Sequence, residues 1–97
     1  MDALIKGKKV FVVSKSYCPF CNRVKKLFDD AGVPYEAVEL DRLHEEAEIQ
    51  DALAVMTGQR TVPNVFIGGA HVGGCDDTYA LRDSGKLDAL LEAAGAK

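Results

Sequence analysis

Cys18 and Cys21, three residues apart in Cys18-Pro19-Phe20-Cys21, are the side chains of this sequence best suited to chemistry. They follow an apolar, β-branched run, Val10-Phe11-Val12-Val13. A short continuous run of that kind reads as a buried strand. Pro19 then suits the first turn of a helix, where a missing N–H costs nothing and the fixed φ is already helical. Cys18 would therefore sit at a helix N-terminus, whose free N–H groups and dipole favour negative charge. A thiolate is favoured there, and the thiolate is the nucleophile of disulfide exchange. Lys15 and Arg23 lie close in sequence and can add positive potential. Cys21 comes about one helical turn later, so the two sulfurs can meet. The expected pair is unequal: an exposed attacking thiol and a deeper resolving one.

The pair alone leaves other readings open. Free cysteines are often simply buried. A zinc half-site is a second possibility, but a structural zinc site takes four ligands. The other candidates, Cys75, His44 and His71, have no recognisable spacing, so no metal is expected. The setting of strand, CxxC and helix favours redox chemistry.

The elements that must hold the pair can be read by periodicity. Val24, Leu27, Phe28 and Ala31 share one face of a helix from Pro19 to Ala31, and Gly32 stops it. Val33 to Leu40 alternates as a second strand, with Pro34 confined to its start. Helical spacing returns from about Leu43 to Met56 and ends at Gly58. Val65-Phe66-Ile67 and Ala70-His71-Val72 flank Gly68-Gly69, a two-residue hairpin signal. Short helices are expected over Asp76 to Asp83 and Leu87 to Ala94. Lys25-Lys26 and Asp29-Asp30 suggest an exposed helix face with i, i+4 pairing. The order is βαβ, helix, ββ hairpin, helix. It predicts an α/β fold: a four-stranded mixed sheet with helices on both faces and a right-handed crossover.

The totals bound the rest. A chain of 97 residues predicts one domain, 1–97. A net charge of −3 argues against a nucleic-acid partner, since no basic excess is available for phosphates. No apolar run reaches the roughly 20 residues of a membrane span, and Met1 to Lys6 has no signal-peptide character. Three cysteines, an odd number, fit a reducing compartment better than a secreted disulfide scaffold. A cytoplasmic monomer is expected.

Three segments in order resemble the glutaredoxin family: Ser14 to Cys21, Thr57-Gly58-Gln59-Arg60-Thr61-Val62-Pro63, and Gly73-Gly74-Cys75-Asp76-Asp77. The resemblance spans almost the whole chain. Phe20 stands where the usual dithiol motif has Tyr. The resemblance implies a thioredoxin fold with a cis peptide before Pro63, which exposes the Val62 backbone to an extended peptide. It implies glutathione as co-substrate with no bound cofactor, and glutathionylated or disulfide-containing proteins as partners. Cys18 and Cys21 are then catalytic. Thr61, Val62 and Pro63 meet the cysteinyl part of glutathione, and Tyr17 and Phe20 flank its sulfur. Gly74, Cys75, Asp76 and Asp77 meet its γ-glutamyl end, where two glycines permit close approach and a helix start offers N–H donors. Those residues also read as an ordinary capped helix start. Lys15, Gln50 and Arg60 are implied holders of the glycine carboxylate. Some family members instead carry a [2Fe–2S] cluster between two protomers with glutathione as ligand. Pro19 speaks against that role, because cluster-binding relatives tend to have Gly or Ser there.

Overall fold

A computed structural model describes residues 5–97. Strand β1, Val10–Ser14, is buried along its whole length. Helix α1, Pro19–Asp30, leads from it to β2, Glu36–Glu39. A 3-10 turn, Leu40–Arg42, precedes α2, Glu46–Thr57. The hairpin β3, Asn64–Ile67, and β4, Ala70–Gly73, follows, and then α3, Cys75–Asp83, and α4, Lys86–Ala93. The sheet order is β2-β1-β3-β4. β1 runs parallel to β2 and antiparallel to β3, which is antiparallel to β4. This is the mixed sheet that the sequence pattern predicts.

β1 lies inside the sheet and alternates between two cores. Val10 and Val12 pack with Val65 and Ile67 against Val24, Leu27 and Phe28 of α1 and Leu87 and Leu91 of α4. Phe11, Val13 and Phe66 pack on the other face against Leu40 and Leu53. Both faces of β1 are therefore apolar, which explains its unbroken hydrophobic run. Each such side chain contributes roughly 1.5–3 kcal/mol by leaving water.

The boundaries around the second strand differ from expectation. The second strand starts at Glu36 instead of Val33. The Val33 N–H donates to the Phe28 carbonyl at 3.0 Å, closing the end of α1, and Pro34 has no N–H to offer a neighbour. The strand also stops before Leu40, which turns inward as a fully buried residue of the 3-10 turn. The Leu43 N–H finishes that turn on the Leu40 carbonyl at 3.0 Å, so α2 begins at Glu46 and not near Leu43. The expected charge pairing on α1 is half correct. Lys26 pairs with Asp30 at 3.1 Å, but Lys25 reaches across to Glu39 of β2 instead of Asp29.

Candidate active site

Cys18 caps α1. Its backbone is extended, Pro19 is the first helical residue, and the Cys18 sulfur accepts the Cys21 N–H at 3.2 Å. The Cys18 N–H donates to the Lys15 carbonyl at 3.1 Å, so residues 15 to 18 form a tight turn from β1 into the helix. Cys18 is half-buried and Cys21 fully buried, and neither forms a disulfide. Burial pushes the Cys21 thiol from 9.0 up to about 11, helped by its hydrogen bond to Cys18. Cys21 therefore holds its proton at neutral pH. The two sulfurs share one helical turn but differ in access to solvent and in proton affinity.

Asp41 ties down the loop that carries Cys18. Its carboxylate accepts the Ser16 N–H at 2.9 Å and also the Ser16 hydroxyl. These two bonds hold the Asp41 carboxyl below its ordinary 3.8. A carboxylate with a lowered native pKa stabilises the fold above its ordinary value, and that contribution fades as pH falls through the native value. Asp41→Asn is accordingly expected to lower the melting temperature at pH 7. The gap to wild type should close as the pH is taken below 3.8, as thermal melts across pH will show.

Two hollows meet on either side of Thr61 and Val62. The first, about 500 Å³, is lined by Lys15, Tyr17, Cys18 and Pro19 on one wall and by Gln50 and Arg60 on the other. The second, about 330 Å³, is lined by Phe20, Gln59 and Pro63, and by Gly74, Cys75, Asp76 and Asp77 at the start of α3. Apart from buried Cys21, every catalytic or glutathione-binding residue that the resemblance implies lines one of the two. The exposed rings of Tyr17 and Phe20 stand on opposite sides of Cys18 in the chain and line different hollows.

The first hollow is cationic, although its charges are already engaged. Lys15 pairs with Glu46 at 3.5 Å, Arg60 pairs with Asp51, and Gln50 donates its side-chain N–H to the Arg60 carbonyl at 3.2 Å. Exposed ion pairs are worth only about 0–1 kcal/mol. A carboxylate ligand can displace such partners at small cost. Arg23, by contrast, lies over the rings of Phe20 at 6.0 Å and Tyr79 at 5.0 Å. Its charge acts on Cys75.

The second hollow ends on a helix N-terminus. The first bond of α3 runs from the Thr78 N–H to the Gly74 carbonyl at 3.1 Å, so the N–H groups of the preceding turn remain free for a ligand. The Asp77 carboxylate accepts the Gly74 N–H at 3.2 Å and so caps the helix as well as lining the hollow. Burial pushes the Cys75 thiol up from 9.0; the Arg23 charge opposes the rise, and Asp76 and Cys18 add to it.

The Val62–Pro63 peptide is cis. Gln59 spans this turn: its side-chain N–H donates to the Thr61 carbonyl at 3.0 Å and the Pro63 carbonyl at 2.9 Å. Val62, between them, keeps its N–H and C=O outside those bonds. Gln59 and Pro19 both line the site, yet neither is among the binding residues inferred from sequence. The signal for Gln59 is its place in the Thr57-to-Pro63 segment, two and four residues before the carbonyls it holds.

The glutaredoxin family model matches residues 10–72. The chain belongs to the glutaredoxin family. It is 59% identical to glutaredoxin-C6 of Oryza sativa subsp. japonica, over 97% of this chain and 89% of that one. Among solved structures, wheat glutaredoxin superposes with a TM-score of 0.95 at 58% identity, covering 99% of this chain and 91% of the other. A buckwheat glutaredoxin–glutathione complex gives 0.96 at 49% identity, covering 98% and 86%. The four-stranded sheet with its flanking helices is accordingly the thioredoxin fold of this family, and a thiol oxidoreductase related to glutathione is the activity that goes with it.

Proposed function

We propose that this chain uses glutathione to reduce mixed disulfides between glutathione and proteins, and reduces protein disulfides by a second route through both cysteines. One observation carries the reading. Cys18 opens onto a cleft with cationic and amide groups at one end, and with two acids and a helix N-terminus at the other. Glutathione has a carboxylate at one end and a carboxylate with an ammonium at the other, and an extended tripeptide spans about 10 Å. The buckwheat relative bound to glutathione supports the same ligand.

In the first route the Cys18 thiolate attacks the glutathione sulfur of the mixed disulfide. The protein thiolate leaves with the electron pair of the broken S–S bond. A second glutathione, as its thiolate, attacks the Cys18-bound glutathione and departs as glutathione disulfide, restoring Cys18. In the second route Cys18 first joins a sulfur of a protein disulfide. Cys21 then displaces that partner, leaving a Cys18–Cys21 disulfide for glutathione to reduce. The potentials of such proteins, roughly −200 to −230 mV, lie near the glutathione poise of a cytosol, so exchange runs in either direction. Three free thiols suit a reducing compartment, and we take the working form to be a cytoplasmic monomer.

The test is turnover of a glutathionylated peptide by the wild-type chain with glutathione, coupled to NADPH oxidation through glutathione reductase. Saturable turnover is expected, and a rate no faster than glutathione alone would refute the reading. A brown dimer after anaerobic reconstitution with iron and sulfide would speak instead for cluster carriage.

A further inference from the structure

Cys21 has a problem that its partner lacks. To attack a mixed disulfide on Cys18 it must give up a proton, and to be released by glutathione it must regain one. Its side chain is fully buried, out of contact with bulk solvent. In the dithiol state its thiol is hydrogen-bonded to Cys18. Once Cys18 is tied up in a disulfide, its sulfur carries no charge to hold that proton.

Ser14 lies on the other side. It follows Val10 and Val12 on the α1-facing side of β1, and it too is fully buried. The Ser14 hydroxyl and the Lys15 backbone N–H are hydrogen-bonding neighbours of the Cys21 thiol and oppose its rise. The same hydroxyl donates to Glu39 Oε2 at 2.9 Å. The parallel register sets Glu39 directly beside Ser14 on β2, and Lys25 of α1 pairs with the other Glu39 oxygen. The Glu39 and Lys25 side chains are 20% and 19% exposed, so this pair reaches solvent where Cys21 does not. The groups acting on Cys21 are thus Cys18, the Ser14 hydroxyl and the Lys15 N–H, with Glu39 and Lys25 behind Ser14.

We propose that Ser14 and Glu39 form a relay that carries the Cys21 proton to and from solvent during the resolving step. A hydroxyl has one donor and two lone pairs, so Ser14 can accept the Cys21 proton while passing its own to Glu39. The new Ser14 O–H then points at the Cys21 thiolate and hydrogen-bonds it. Glu39 releases the proton to water and returns to its pairing with Lys25. The thiolate attacks Cys18, the Cys18–Cys21 bond forms, and the departing thiolate takes the electron pair of the broken bond. When glutathione later attacks Cys18, Cys21 leaves as thiolate and the same path returns its proton. Ser14 and Glu39 are positioning residues here, since they act through Cys21. The relay rests on the reading of Cys21 as the resolving thiol.

The test is stopped-flow reaction of the reduced chain with one equivalent of 5,5′-dithiobis(2-nitrobenzoate). The first release of coloured thiolate reports attack by Cys18, and the second reports displacement by Cys21. In Ser14→Ala the first phase should stay close to wild type. The second should slow roughly 10- to 100-fold, the loss of one hydrogen bond to a charged atom, and its pH profile should move to higher pH. Ser14→Thr, which keeps the hydroxyl, should restore most of the rate. Glu39→Gln should also slow the second phase, and the Ser14→Ala/Glu39→Gln double variant should be no slower than the worse single one. A wild-type second phase in either single variant overturns the relay. So does slowing without a pH shift in Ser14→Ala, or losses that multiply in the double variant. If Ser14→Ala does not fold, Glu39→Gln alone decides by its second phase. A Cys21→Ser chain that still releases the second equivalent would instead remove the resolving role on which the relay stands.

Discussion

Cys18→Ser is expected to abolish release of glutathione from a mixed disulfide, while Cys21→Ser keeps a good part of it. The difference follows from where each sulfur sits. Cys18 is half-buried at the helix N-terminus, opens onto the cleft, and takes the Cys21 N–H as a hydrogen-bond donor. A serine hydroxyl there is not ionised at neutral pH, so the nucleophile is lost. The fall in kcat/KM should be at least about 1,000-fold, the scale seen when a covalent nucleophile is removed. Cys21 is fully buried, and its thiol is pushed up to about 11, so it contributes little to the first attack. Its loss should matter only where the second route operates. Cys21→Ser should therefore fail on a protein disulfide while remaining active on a glutathionylated peptide. Because burial raises the resolving thiol above its ordinary value, the second route should speed up as the pH rises through neutrality. Side-by-side rates on the two substrates test both statements. A Cys18→Ser chain with normal activity on the glutathionylated peptide would end the assignment.

The unequal pair was legible in the sequence because its causes are local. A β-branched run, Cys18, and Pro19 at the next position define a strand end and a helix start without help from distant residues. The hairpin at Gly68-Gly69 is local in the same way. The cleft was legible only through three separate segments taken together. What escaped depends on pairing across the sheet. Glu39 lies 14 residues from Lys25 and 25 from Ser14, and only the parallel register Ser14↔Glu39 makes them neighbours. Asp41 is likewise 25 residues from the Ser16 groups it holds. Pairing rules along one helix pointed Lys25 to Asp29, but a buried-side partner on β2 won. The expected cations of the cleft, Lys15 and Arg60, proved to be engaged by acids of α2, a helix whose placement follows from packing against Leu40 and Phe66. The second strand was overextended because alternation does not reveal which residues have a free N–H and a neighbour to meet.

Gly73→Ala and Gly74→Ala should differ sharply, although the two glycines are adjacent and look interchangeable in sequence. Gly73 has φ of +125°, in a region where a side chain is strained, and a Cβ built on it would collide with the Asp77 carboxylate. Gly74 has φ of −90°, and its Cβ would make only ordinary contacts: the Pro63 carbonyl at 3.7 Å and the Gln59 amide at 3.9 Å. At Gly73 the methyl adds backbone strain of about 1–3 kcal/mol. It also drives Asp77 off the Gly74 N–H, removing a cap worth about 0.5–2 kcal/mol. The sum, roughly 3 kcal/mol, lowers the melting temperature of a chain this size by roughly 10–20 °C. Asp77 also lines the hollow where the γ-glutamyl end of glutathione is proposed to lie, so KM for a glutathionylated peptide should rise while kcat, set at Cys18, changes less. Gly74→Ala should fold normally. Its methyl enters the lining beside Pro63, so its effect should be confined to KM. Thermal melts and steady-state kinetics on both variants separate the two roles. If Gly73→Ala melts like wild type, Asp77 is free to move, and the cap is not what fixes the acidic end of the cleft. If Gly74→Ala leaves KM untouched, the ligand does not approach this backbone as closely as the proposed pose requires.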